Sequence, residues 1–111
     1  MKGKYLEDIG STWAWPERER LNQAFLTASL SLGELYYQGG EIPKSLNICR
    51  QALEYDETSE ATYRLMMQIF FRMGDKASIV HTYQACEKTM HRIFDLPPSA
   101  ETRDLYHELI S

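Results

Sequence analysis

The chain has 111 residues, 43% of them hydrophobic and 25% charged, which is typical of one soluble globular domain. Its formal net charge of -4 and its lack of clustered Lys and Arg argue against this chain binding nucleic acid by itself. The sequence contains no apolar run of about 18 residues, the length that a membrane-spanning helix needs. Cys49 and Cys86 fit no metal-binding spacing and are too few for a disulfide framework, so we expect a cytoplasmic protein.

The first long helix is predicted from about residue 16 to residue 38, after an approach segment over residues 1 to about 14. Proline suits the first position of a helix, so Pro16 marks the predicted start. Trp13 and Trp15, just before it, are candidate interface aromatics that fix how the chain enters the helix. Apolar residues at helical spacing form two stripes on this helix, and we expect both stripes to be packed. One stripe holds Leu21, Phe25, Ala28, Leu32, Leu35 and Tyr36, and the other holds Leu26, Leu30, Gly33 and Tyr37.

Four shorter helices are predicted after the first. Gly39 and Gly40 end the long helix, and the second helix follows over about residues 42 to 55. The third is predicted over about residues 59 to 73, with Thr58 or Ser59 as its N-cap. Asp75 opens the fourth, which runs to about Phe94. The last helix covers about residues 99 to 110, with Ser99 as its N-cap.

A short repeat organises these helices. The segment Tyr36-Tyr37-Gln38-Gly39-Gly40-Glu41 returns as Phe70-Phe71-Arg72-Met73-Gly74-Asp75. Because Gly40 and Gly74 lie 34 positions apart, the period is that of tetratricopeptide helix pairs. The sequence therefore predicts one all-α domain over residues 1–111. In it, about five antiparallel helices form a short right-handed tetratricopeptide-like solenoid.

The repeat register also predicts a candidate partner-binding face. In this repeat class the first helix of each pair lines the concave side of the stack. Two interpretations of that side remain open: either its aromatic residues Tyr37 and Phe71 form an exposed ladder that contacts a partner, or they are sealed into the core. The predicted partner-binding residues are Leu30, Glu34, Tyr37, Arg64, Gln68 and Phe71.

The sequence shows no pattern typical of a catalytic or metal site. His81, His91 and His107 are too far apart to share one helix face as ligands, and we expect them at the surface. Glu60 and Arg64 form an i,i+4 pair that is expected to brace one face of the third helix. We therefore expect no enzymatic activity, no cofactor and no metal.

The whole chain carries an ordered series of short motifs. They are Gly3-Lys4-Tyr5-Leu6, the tryptophans 13 and 15, Glu17-Arg18-Glu19-Arg20-Leu21, Gly40-Glu41, Ala52-Leu53, Glu60-Ala61-Thr62-Tyr63-Arg64-Leu65-Met66, Gly74-Asp75, Pro98-Ser99-Ala100-Glu101-Thr102 and Leu105-Tyr106. In this order and spacing the chain resembles the bacterial transcriptional activator domain, the tetratricopeptide-like module of antibiotic-regulatory-type transcriptional regulators. It departs from the family pattern at Asp95, where a glycine commonly ends the fourth helix.

The resemblance implies a partner outside this chain. In such regulators a winged-helix DNA-binding domain precedes the module, which serves dimerisation, interdomain packing or regulation. We therefore expect an excised regulatory domain whose partners are proteins: the DNA-binding domain, a second copy or the transcription machinery. The alternative is a stand-alone tetratricopeptide adaptor that binds a peptide or protein partner.

Overall fold

The computed structural model describes the backbone of residues 8–111 and the side chains from Gln23 onward. It contains five α-helices and, within the described residues, no strand, which confirms the all-α prediction. The helices are α1 (Asp8–Gln38), α2 (Ile42–Tyr55), α3 (Glu60–Met73), α4 (Lys76–Phe94) and α5 (Ala100–Ile110). The predicted bounds of α2 to α5 agree with the structure to within one residue.

The predicted start of the first helix is wrong. α1 begins at Asp8 rather than near Pro16, and its 31 residues span about 46 Å. Trp13 and Trp15 therefore lie inside α1 and not in an approach segment, and their side chains fall outside the described residues. The prediction rested on the preference of proline for the first turn of a helix. α1 nevertheless continues through Pro16, which has no backbone N–H and so leaves one helical hydrogen bond unmade.

Polar side chains cap the first turns of α3, α4 and α5. The Ser59 and Ser99 hydroxyls accept hydrogen bonds from the N–H groups of Thr62 and Thr102, at 3.4 Å in each case. The Asp75 carboxylate accepts from the Ser78 N–H at 3.1 Å. Each bond satisfies a backbone donor that the first turn of a helix leaves without an intrahelical partner.

α1, α3 and α4 end in the left-handed conformation, whereas α2 ends in an extended residue, Asp56. Gly40 and Gly74 have φ of 81° and 75°, as expected of the glycines that mark the repeat. Asp95 ends α4 in the same conformation with φ of 56°, where aspartate replaces the glycine of the family pattern. Aspartate tolerates this region better than most residues with a side chain.

α1, α3 and α5 run parallel to one another, and α2 and α4 return in the opposite direction. The Arg72 side chain of α3 donates to the Tyr37 carbonyl of α1, 35 positions earlier. The Arg64 side chain donates to Thr102 of α5, 38 positions later. The two contacts join residues 35 and 38 positions apart, which is close to one repeat period. Corresponding turns of α1, α3 and α5 therefore lie side by side, and α5 occupies the place of the first helix of a third repeat.

The core lies between these helices, and small residues set their spacing. The buried Ser45 hydroxyl of α2 donates to the Gly33 carbonyl of α1 at 2.7 Å. A Cβ on Gly33 would lie 3.2 Å from Leu65 Cδ2, so only glycine gives α3 this approach without adjustment. The larger cluster of buried core residues comprises Cys49, Leu65, Met66, Met67, Ile69, Phe70, Ile79, Tyr83 and Leu109.

The prediction that both apolar stripes of α1 are packed is wrong for one of them. Leu26 is buried, and Leu30 packs half-buried against the core. On the other stripe, Phe25, Leu32 and Leu35 are 43%, 40% and 64% exposed. α1 is the first helix of the stack, so α2 and α3 cover one side of it, and no described helix covers the other.

Candidate functional site

A groove on the concave side of the stack lies between α1, α3 and α5. Its volume is about 300 Å³, at the lower end of the range for ligand sites. Three of the predicted partner-binding residues, Glu34, Arg64 and Gln68, meet in its lining. The full lining is Glu34, Ala61, Arg64, Leu65, Gln68, Glu101 and Leu105. We call this the concave groove.

The other three predicted residues lie outside that lining. Leu30 is half-buried against the core. Tyr37 is also half-buried, and the Arg72 guanidinium lies 5.2 Å from the centre of its ring. Phe71, one turn beyond Gln68 on α3, is 54% exposed. The two aromatics of the proposed ladder therefore have different environments, Tyr37 at the edge of the core and Phe71 at the surface.

Glu60 and Arg64 do not brace α3 alone, as the sequence suggested, but attach α5 to it. Glu60 Oε1 accepts hydrogen bonds from the Ser99 N–H at 3.0 Å and from the Thr102 hydroxyl at 2.6 Å. Arg64 donates to the same hydroxyl at 2.9 Å, and its Nε lies 3.7 Å from Glu101 Oε2. These contacts hold the first turn of α5 beside the first turn of α3.

The contacts of Glu60 lower the pKa of its carboxyl group. Burial alone would raise the pKa of the carboxyl, but the hydrogen bonds from Thr102 and Ser99 and the charge of Arg64 outweigh it. The net effect places the pKa of Glu60 below its ordinary value of 4.5. The carboxylate form is therefore the one that holds α5.

Sequence reasoning missed the contribution of α5 to the groove. Glu101 and Leu105 form one rim, opposite Glu34 on α1. The repeat pattern could have indicated this contribution. α5 is another amphipathic helix that follows the Pro-Pro step after the second helix pair. It therefore stands where the first helix of a third pair would lie, on the same side of the stack as α1 and α3.

A second surface is the outer face of α1, formed by Phe25, Ala28, Leu32 and Leu35. All four residues are exposed and follow the i, i+3, i+7, i+10 spacing of a single helix face. Phe25 packs against Tyr55, at the end of α2, with ring centroids 4.3 Å apart and ring planes tilted by 30°. None of these four side chains is charged, so the described part of this face offers apolar surface for packing.

The cysteines and histidines of the described residues form no reactive or metal-binding cluster. Cys49 and Cys86 are free and fully buried, and burial raises the pKa of each thiol to about 12. Such thiols carry no appreciable thiolate at neutral pH. His81, His91 and His107 are exposed, as expected. Residues that could jointly hold a metal ion are not found within the described part of the chain.

Within that same part, none of the helices is long and apolar enough to cross a membrane. Parallel first helices, a concave groove and an apolar face at the open end of the stack define a helical-repeat scaffold of the tetratricopeptide type.

The chain belongs to the bacterial transcriptional activator domain family, which matches residues 1–110. It is therefore a regulatory domain of the kind that bacterial transcriptional activators carry. No curated protein and no solved structure gives a significant match to the chain.

Proposed function

We propose that this domain acts through protein contacts and not through catalysis, and that it packs against the winged-helix DNA-binding domain of the same regulator through the outer face of α1. The observation that carries the proposal is the exposure of three large apolar side chains on that face. The end repeats of a solenoid normally present a polar outer surface, because water covers it. An apolar surface at this position favours cover by another protein domain.

The division of labour agrees with the charge of the chain. A net charge of -4 disfavours contact with the phosphate backbone, so DNA contact falls to the neighbouring domain. The outer face itself is uncharged, and packing on it needs no buried ion pair. The face lies on α1, the first of the described helices, and this position supports the proposed contact with an N-terminal neighbouring domain.

The experiment titrates the isolated winged-helix domain with this chain and measures the dissociation constant by calorimetry. The double variant Leu32→Glu/Leu35→Glu places two charges on the outer face, and we expect it to weaken binding at least about tenfold, since buried unpaired charges are costly. The thermal stability of the variant should match that of the wild type, because both leucines are 40% or more exposed.

The matched control is Gln51→Glu/Gln84→Glu, which adds the same two charges at exposed positions of α2 and α4. It should bind like the wild type. Equal weakening by both double variants, or no binding by the wild type, contradicts the proposal. Sedimentation of the chain alone tests whether a second copy covers the outer face instead. If α1 pairs with α1 of a second copy, the wild type sediments as a dimer. The variant Leu32→Glu/Leu35→Glu then sediments as a monomer.

A further inference from the structure

We propose that a pocket between α2, α3 and α4 binds a small organic carboxylate with an apolar body. The pocket has a volume of about 450 Å³, within the range of small-molecule sites. We call it the α2–α4 pocket, and its lining includes Arg50 from α2, Met66 and Phe70 from α3, and Ser78, His81 and Thr82 from α4. Because α1 contributes no residue to this lining, the proposal and the function proposed above stand or fall separately.

The architecture of the pocket follows from the packing of its three helices. α3 contacts both α2 and α4, whereas α2 and α4 do not contact each other. The α3 side chains therefore form the floor, and the two outer helices form the walls. Met66 and Phe70 lie on the face of α3 opposite Arg64 and Gln68, which line the concave groove. The pocket is thus a separate site on the other side of the stack.

The first argument is the charge of the walls. Arg50 is exposed and forms no ion pair or hydrogen bond with any described residue. No carboxylate belongs to the described lining. Of the two nearby carboxylates outside it, Asp75 accepts hydrogen bonds from the Ser78 N–H and hydroxyl at 3.1 and 2.7 Å, and Glu54 forms no ion pair with Arg50. A guanidinium without a carboxylate partner favours an anionic ligand, which it can bind in bidentate fashion.

The second argument is the hydroxyl group of Thr82. This residue is only 7% exposed, and its hydroxyl forms no hydrogen bond with any described residue. The other buried threonines, Thr62, Thr89 and Thr102, each form at least one such bond through the hydroxyl. Buried polar groups normally have a partner, so the exception at Thr82 calls for an acceptor or donor from outside the chain. An oxygen atom of a bound ligand supplies that partner.

The third argument is the apolar floor. Met66 and Phe70 are 9% and 8% exposed, and they offer a thioether and an aromatic ring to whatever enters the pocket. A hydrophobic lining with a few placed polar groups is the usual composition of a small-molecule site. The floor accommodates an apolar body, while the Arg50 guanidinium and the Thr82 hydroxyl accommodate one polar group at its end.

The same features argue against other ligands. A hydrocarbon would leave the Arg50 guanidinium and the Thr82 hydroxyl without partners, and desolvated polar groups without partners cost free energy. A cation would meet the like charge of Arg50. A simple inorganic anion would leave the floor of Met66 and Phe70 in contact with water. A carboxylate attached to an aromatic or branched apolar body satisfies both parts of the lining.

The test titrates the isotope-labelled chain with naphthoate and follows its amide NMR spectrum. We expect saturable shifts at the amides of Arg50, His81 and Thr82, with a dissociation constant below about 1 mM for a ligand of this size. Two probes separate the contributions of the ligand. Naphthamide has the same rings without the charge, and acetate has the charge without the rings. Each should bind at least about tenfold more weakly than naphthoate.

Two variants test the named side chains. Arg50→Gln should raise the dissociation constant of naphthoate about tenfold, because it removes the charge from an exposed position. Thr82→Val keeps the shape of the side chain without the hydroxyl, and it should raise the constant about threefold. Thr82→Val should also unfold at a temperature no lower than that of the wild type, since it breaks no hydrogen bond to a described residue. A lower unfolding temperature would contradict the second argument.

The matched control is Arg103→Gln, which removes the same charge from an exposed position of α5 outside the pocket. It should change the dissociation constant less than about twofold. If Arg50→Gln and Arg103→Gln weaken binding equally, the attraction is to any cation of the surface, and the proposal is overturned. Equal binding of naphthamide, shifts confined to residues outside the pocket, or no saturable binding by the wild type overturns it as well.

Discussion

Glu60 shows how one side chain links two helices that are far apart in sequence. Its carboxylate accepts from the backbone and hydroxyl of Ser99 and from the hydroxyl of Thr102, both at the start of α5. Among the described residues, Glu60 is the hydrogen-bond partner of the Ser99 N–H, a backbone donor at the start of that helix. The residue therefore serves as a second cap for α5, supplied by α3.

This role predicts a pH-dependent stability. Because the pKa of Glu60 in the folded protein lies below its ordinary value of 4.5, folding favours the carboxylate. The stabilisation is complete above about pH 4.5 and is lost as the pH falls through the lower folded value. Glu60→Gln should lower the free energy of unfolding by about 1–2 kcal/mol at pH 7, allowing for partial exposure.

Urea unfolding of both proteins between pH 3 and pH 7 measures the effect. The difference between wild type and Glu60→Gln should shrink as the pH falls below the ordinary value of 4.5. Glu54→Gln, at an exposed position of α2, should remain close to the wild type at every pH. A difference for Glu60→Gln that stays constant down to pH 3 would show that the charged form contributes nothing.

The contacts of individual residues were the least predictable part of the molecule. Glu60 and Arg64 lie one turn apart, so the sequence favoured a local pair. Their partners in the structure are 37 to 42 positions away, and only the docking of α5 brings them close. The same docking created the α5 rim of the concave groove. Spacing along the chain carries no direct information on such a contact.

Helices, in contrast, were predictable wherever caps and glycines marked their ends. Ser59, Asp75 and Ser99 begin helices because their side chains satisfy backbone donors, and Gly74 ends α3 because it adopts positive φ without strain. For α1 the prediction relied on Pro16, which lies inside the helix and not at its start. A capping hydrogen bond or a residue with positive φ involves only neighbouring residues, so the sequence predicts it. Whether a helix continues through a proline depends on the contacts of the whole helix.

Two of the three left-handed helix ends, one a glycine and one an aspartate, permit a reciprocal exchange. Gly74 and Asp95 end α3 and α4 with φ of 75° and 56°. Asp95→Gly should raise the free energy of unfolding by roughly 0.5 kcal/mol, since relief of the left-handed strain exceeds the added flexibility of the unfolded chain. Gly74→Asp should lower it by about 1 kcal/mol for the opposite reason.

Thermal and urea unfolding of the two variants measure these changes. A Cβ at Gly74 would meet no atom within 4 Å, so Gly74→Asp reports the backbone conformation and not a clash. Gly40→Asp is the parallel control, because Gly40 is equally open with φ of 81°. Stabilisation by Gly74→Asp, or destabilisation by Asp95→Gly, would show that contacts of the side chain outweigh its conformational strain.

At the scale of the whole molecule, the two surfaces follow from an incomplete repeat. Among the described helices, none covers the outer side of α1, and three parallel helices surround one groove. Sequence periodicity predicted the stack and two of the helices that line the concave side, α1 and α3, but not α5. It could not show which stripe of α1 stays exposed, since both stripes are apolar and the packing of neighbouring helices decides which one is covered.

The same reasoning makes α5 necessary for the fold. About three repeats are needed before a stack of this type is stable, and α5 supplies the start of the third. Its Leu109 is buried in the core, and its Tyr106 ring stacks on Tyr83 with centroids 3.9 Å apart and planes 4° from parallel. Truncation after Leu96 uncovers Tyr83 and leaves Glu60 without its hydrogen-bond donors. We expect the truncated chain to retain helical circular dichroism but to lose its cooperative thermal transition.

The matched control keeps α5 and changes only its surface. Arg103→Ala/Asp104→Ala alters two exposed residues of α5 without changing the net charge, and it should unfold cooperatively within about 0.5 kcal/mol of the wild type per site. A truncated chain that melted cooperatively at the wild-type temperature would show that four helices suffice. α5 would then serve the concave groove alone, and the hydrogen bonds of Glu60 would position a binding rim instead of completing a core.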